Sequence, residues 1–155
     1  MTLIQELTQQ ASTGALMQAQ HLKRFSAAEI REAIQGLVAA DQADLAYALG
    51  DAGLSIYPAS EDMLAMNGLL AVMRSDWPQA VELLEDLMYI QAERTQPFTY
   101  VMLVRALRCN LDPLRAIQVV QQGLAAYPEQ MELTAEALDL EAYADTMQAP
   151  SGYTH

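Results

Sequence analysis

Basic residues are scarce in this chain: eight Lys and Arg stand against twenty Asp and Glu, a formal net charge of -12. Such a chain has no cationic footprint for a phosphate backbone or an anionic lipid surface, so no nucleic acid and no membrane insertion are expected. Cysteine occurs once, at Cys109. That excludes a disulfide framework and a cysteine-built zinc cage. No apolar run approaches the roughly 20 residues of a membrane span. The opening Met1-Thr2-Leu3-Ile4-Gln5-Glu6 lacks the basic start and apolar core of a signal peptide. A cytoplasmic location is therefore expected.

Catalytic patterns are missing as well. There is no Gly-rich phosphate loop, no Gly-x-Ser-x-Gly elbow and no His-Glu-x-x-His helix. The two histidines, His21 and His155, lie far apart in sequence and read as surface residues, so no metal is expected. Arg105 and Arg108 near Cys109 would favour a thiolate, but a small apolar filler near a helix end is the better reading. Glu82, Glu85 and Asp86 have no oxygen-ligand loop around them and read as a solvated helix face. Neither enzyme activity nor a cofactor is expected.

What is present is a helical protein. Of 155 residues, 52% are apolar and 18% charged, which is the composition of one folded domain rather than a disordered acidic tail. Apolar residues recur at helical spacing in Ile30, Ile34, Leu37 and Val38, and again in Val81, Leu84, Leu87 and Met88. Ser26-Ala27-Ala28-Glu29 is a capping box. Ser60, Asp76 and Asp112 are N-cap candidates, with Pro78 and Pro113 in the first turns that follow. Pro58, Pro97 and Pro128 punctuate boundaries. The fold class is all-α.

An internal repeat organises these helices. Gly53-Leu54-Ser55-Ile56-Tyr57-Pro58 returns seventy positions later as Gly123-Leu124-Ala125-Ala126-Tyr127-Pro128. Seventy is two periods of thirty-five, and a middle copy falls near residues 61–94, with Gly68, Trp77, Ala80 and Leu84. The anchor alanines Ala46, Ala80 and Ala116 are 34 and 36 apart. Over about residues 27–130 the chain resembles the tetratricopeptide repeat, a helix–turn–helix unit of about 34 residues. Ile34 and Val104 depart from that pattern where the family has a small residue, Gly50 where it has a bulky one, and Leu87 with Ala92 where it has Ala and Pro.

The resemblance implies a short solenoid of about three degenerate repeats, roughly residues 27–60, 61–94 and 97–130. Residues 1–25 would form an N-terminal helical extension, residues 131–148 a capping helix, and residues 149–155 a flexible tail. Along residues 129–147, Leu133, Ala137, Leu140, Ala144 and Met147 form one stripe, and Glu129, Glu132, Glu136 and Asp139 a neighbouring solvated face. One helix pair cannot bury its apolar face alone, so stacking and capped ends are required.

In this family the first helix of each repeat lines a concave groove. Carried over, the partner-binding residues are Arg31, Gln35 and Val38 in the first repeat and Ala65, Leu69, Val72 and Met73 in the second. The third supplies Phe98, Val101, Arg105, Arg108 and Cys109. Leu69, Val72 and Val101 read equally as core between repeats, and the arginines as neutralised by Asp112 or by acids of the last helix. The implied function is a protein-binding module, a chaperone or adaptor holding a protein or peptide partner. In size and architecture the chain resembles the small tetratricopeptide-type chaperones of bacterial type III secretion. The alternative is a self-associating structural or scaffold subunit, such as a homodimer, with Leu3, Leu7, Leu16, Met17, Leu22 and Phe25 covering the first repeat or a second copy. The charge distribution supports the groove: residues 1–40 balance, residues 41–97 and 116–155 are acidic, and residues 98–115 are net positive, with Arg105, Arg108 and Arg115 against Asp112.

Overall fold

The computed structural model describes residues 22–148, except the side chains of Met147 and Gln148. Among the described residues seven α-helices follow one another: α1 (Ala27–Ala39), α2 (Ala43–Ile56), α3 (Glu61–Met73), α4 (Trp77–Gln91), α5 (Pro97–Cys109), α6 (Pro113–Ala126) and α7 (Met131–Gln148). A 3-10 turn, Ala92–Arg94, separates α4 from α5, and no strand occurs among the described residues. Most of the N-terminal extension and the whole of the tail lie outside the described residues. The portion that is described begins with Leu22, which is buried beside Ile30 and Ile34.

The caps start the helices where the sequence places them. Ser26 Oγ accepts from the Glu29 amide while the Glu29 carboxylate accepts from the Ser26 amide. Ser60, Asp76 and Asp112 each accept from the amide three residues on. Each satisfies a donor that the first turn leaves free.

The turns inside the three repeats share one geometry. Asp41, Ser75 and Leu111 have φ of 59°, 58° and 62°. The following amide reaches five residues back in each case: Gln42 to Leu37, Asp76 to Ala71, and Asp112 to Leu107. This is the Schellman closure, which favours glycine at the left-handed position. Leucine there is costly, by about 1–2 kcal/mol of backbone strain, and Leu111 recovers little through packing because it is 86% exposed. Leu111→Gly is accordingly expected to stabilise the protein by about 0.5–1 kcal/mol in urea unfolding, the freer unfolded chain of glycine cancelling part of the relief.

Small residues bring the helices of each pair together. Ala46, Ala80 and Ala116 are completely buried. A methyl group at Gly68 would stand 2.8 Å from Leu84 Cδ2, and one at Gly123 would stand 2.9 Å from Leu133 Cδ1 and 3.0 Å from the Tyr100 ring. Two adjoining core clusters run the length of the stack, one around Ile30, Ile34, Leu49 and Met63, the other around Leu84, Leu87, Leu103 and Val119. Ile34 and Val104, bulky where small residues were the norm, are buried parts of these clusters.

The repeated Tyr-Pro closes two of the three units. Tyr57 Oη donates to the Phe25 carbonyl at 2.6 Å, and Tyr127 Oη to the Thr95 carbonyl at 2.7 Å, each 32 residues back. The middle unit has Gln91 and Ala92 at the equivalent places and closes differently. Gln91 is buried, and its Oε1 accepts from Thr99 Oγ1 at 2.7 Å and from the Gln96 amide at 3.3 Å. Ala92 takes φ 51°, and the linker to α5 grows into the 3-10 turn. That expansion is why the anchor alanines are 36 rather than 34 apart at this junction.

The first helices of the units, α1, α3 and α5, approach one another in succession, and α7 continues the row beside α5. The second helices, α2, α4 and α6, pack less closely among themselves. The row α1–α3–α5–α7 therefore lies on the inner side of the stack.

Candidate partner-binding face

The inner face has two chemically different ends. Between α1 and α3 lies an apolar pocket of about 190 Å³, walled by Ile34, Val38, Met66, Leu69 and Leu70, with Gln35 and Ala39 at its edge. Every wall residue comes from a first helix, so the pocket opens within the inner row. Gln35 and Leu69 are thus brought together. Ala65 and Val72 are half-buried and pack against the core, and Met73 is exposed at the end of α3.

Arg31, lower on α1, is committed to its neighbour: Nη1 lies 2.7 Å from Asp62 Oδ1 on α3. Arg94 and Glu61 make a weaker bridge at 3.5 Å.

The α5–α7 end is ionic. Arg105 lies 3.3 Å from Glu136 and 3.9 Å from Glu132. Arg108 lies 2.8 Å from Glu136 and 3.2 Å from Asp139. Glu136 was expected on a solvated face but is 6% exposed, held between the two guanidinium groups. One charge-assisted bond, from Arg105 Nε to Oε1, and the ion pair of Arg108 with Oε2 offset the cost of taking its carboxylate out of water. Among the alternatives for the arginines, the geometry shows neutralisation by acids of the last helix. Asp112 instead caps α6.

The remaining residues are scattered. Val101 is 3% exposed and belongs to the core, so it offers no surface to a partner. Phe98 is exposed on the first turn of α5, and Cys109 is exposed at its last residue. About 16 Å of helix separates Phe98 from Cys109. Reading the sequence by family position missed Ile34, Met66 and Leu70, which complete the pocket, and Asp62, which holds Arg31. A signal for the ion pairs existed: Arg31–Asp62, Arg105–Glu136 and Arg108–Asp139 are all 31 residues apart, a little under one repeat.

No helix among the described residues is long and apolar enough to cross a membrane. No group of three or more His, Cys, Asp and Glu among them is placed to hold a metal ion.

Two solved structures share this arrangement. The TPR domain of Sgt2 from Aspergillus fumigatus superposes with a TM-score of 0.71, covering 81% of this chain and 83% of that one at 14% identity. The fold is a tetratricopeptide-type solenoid. The second structure, the assembly chaperone of RpL4 (Acl4, residues 1–338), superposes with a TM-score of 0.60 at 14% identity. It covers 96% of this chain, which spans 59% of that one. No protein-family model matches the sequence, and no curated protein matches it.

Proposed function

We propose that the chain is a protein-binding module whose inner face holds a segment of a partner protein, in the manner of a chaperone or adaptor and without catalysis. The observation that carries this reading is the pocket between α1 and α3. Its walls are uncharged and apolar, and they include Met66, whose flexible thioether adapts to varied side chains. A single apolar side chain of a partner would fill it, and the exposed Met73 extends the apolar surface beyond the pocket. The Arg105–Arg108 end contributes shape and an already neutralised charge rather than a free cationic grip. The description of Acl4 as an assembly chaperone supports a chaperone role on this fold. The narrower version, protection of a translocator or needle subunit before type III secretion, rests on size, acidity and architecture.

The test begins with co-purification from the native host and mass spectrometry to identify the partner. Leu69→Glu would then place a carboxylate against the apolar walls. Capture is expected to weaken by about tenfold or more, the order of 1.4 kcal/mol, with helical circular dichroism unchanged. Undiminished affinity for a correctly folded Leu69→Glu protein would remove the inner face from consideration.

A second reading, self-association, is favoured by one observation. The face between α6 and α7 carries a mainly apolar hollow of about 190 Å³, with Ile117, Val120, Leu124 and Leu140 in its walls and Gln121 and Glu141 also on its lining. Leu114, highly exposed, lies one turn before Ile117 on the same side of α6. Light scattering over a concentration series separates this reading from the first. A monomer throughout counts against it.

A further inference from the structure

The middle junction, where the Tyr-Pro closure is replaced, opens a cavity of about 670 Å³ on the outer side of the stack, between α4, α6 and the 3-10 turn. It is the largest of the three hollows described. Tyr100 forms part of its wall and is itself held by an edge-to-face contact with Tyr127, ring centroids 6.2 Å apart. Met88 and Tyr89 form the α4 wall, and Tyr89 is 85% exposed, a ring presented to solvent without being used in packing. Glu85 and Glu93 stand on the same lining. Glu85 pairs with Arg115 at 3.3 Å, whereas Glu93 makes no ion pair among the described residues.

The surroundings are mostly acidic, and the nearby cations Arg94 and Arg115 are paired with Glu61 and Glu85. Helices α2 and α4 contain Asp44, Asp51, Glu82, Glu85 and Asp86 and no Lys or Arg. Arg115 is the single cation on the cavity lining, and it is already engaged. The inner face differs, because there the acids Asp62, Glu132, Glu136 and Asp139 are taken up by arginines. The unpaired carboxylate of Glu93, beside Glu85 and exposed aromatic surface, is the complement of a long cationic side chain. Its methylene stem lies on an apolar wall, and its head meets both carboxylate and ring face.

We propose that the outer cavity between α4 and α6 is a second docking site, one that takes a basic segment of a protein partner by seating a lysine or arginine side chain between Glu85, Glu93 and Tyr89. Arginine suits the site better than lysine, since its planar head both stacks on a ring and bridges a carboxylate. The site is separate from the inner pocket: none of its lining residues is shared with the walls between α1 and α3.

The probe is a fluorescein-labelled, end-blocked Gly-Arg-Leu-Arg-Gly peptide, with Gly-Glu-Leu-Glu-Gly as its counterpart, followed by anisotropy on the full chain at about 0.15 M salt. Saturable binding of the arginine peptide alone is expected. Glu85→Gln with Glu93→Gln is expected to weaken it about tenfold, and Tyr89→Ala several-fold, since its ring supports no packing. Asp44→Asn with Asp51→Asn removes the same charge from α2 and is expected to change affinity less than about twofold. Equal losses from the two double variants would reduce the effect to net charge and overturn the proposal. Failure of the arginine peptide to bind would overturn it as well. Leu69→Glu is expected to leave this binding intact, so failure of the inner-face reading and failure of this one are told apart.

Discussion

Leu84→Ala is expected to lower the unfolding free energy by about 3–4 kcal/mol, measured by urea denaturation followed at the helical circular dichroism band. Leu84 is completely buried, and its branch lies against Gly68 of α3. Truncation removes both the transfer free energy of the isobutyl group and its contacts on every side. The companion variant Gly68→Ala is expected to cost about 1–3 kcal/mol alone, because its methyl would stand 2.8 Å from Leu84 Cδ2 and 2.9 Å from Cγ. The gain in helix propensity returns under about 1 kcal/mol of that. In the double variant the clash disappears and the new methyl occupies part of the cavity. The combined loss is therefore expected to fall short of the sum by more than about 1 kcal/mol. Additive losses would mean that α3 and α4 do not meet through this pair.

Glu136→Ala is expected to cost about 2 kcal/mol and to loosen α7 specifically. Glu136 is the shared counter-charge of Arg105 and Arg108 and is nearly enclosed, so its removal takes away a charge-assisted bond from Arg105 and the ion pair with Arg108. The cost stays below that of a fully buried pair because both arginines keep solvent access and retain Glu132 or Asp139. Amide exchange should rise along α7 and the end of α5 and stay unchanged in α1 and α2. If affinity for the partner rises in this variant, the arginine pair is a binding element masked by α7. If affinity is unchanged, the pair serves to dock the last helix.

The helices were legible because their signals are local. Ser26, Ser60, Asp76 and Asp112 cap from within one turn, and the Gly-Leu-x-x-Tyr-Pro copies fix the register from sequence alone. The face was harder to read because side chains on neighbouring first helices decide it. Val101 has the same apolar character as Leu69, yet it is enclosed in the core while Leu69 walls an open pocket. Glu136 was assigned to the solvated side of α7 by its type. Its position tells otherwise: it falls three residues after Leu133 and four before Leu140, on the buried stripe itself. The outer cavity had no local signature, because it arises from the expanded junction at Gln91–Gln96 and from residues of α6 some twenty-five positions later.

The central claim is that the inner row of first helices receives the partner. Hydrogen–deuterium exchange on the complex with the co-purified partner tests it most directly. Added protection across Ile34–Ala39 of α1 and Met66–Leu70 of α3 is the expected result. A complex in which those two segments exchange as they do in the free protein would contradict it.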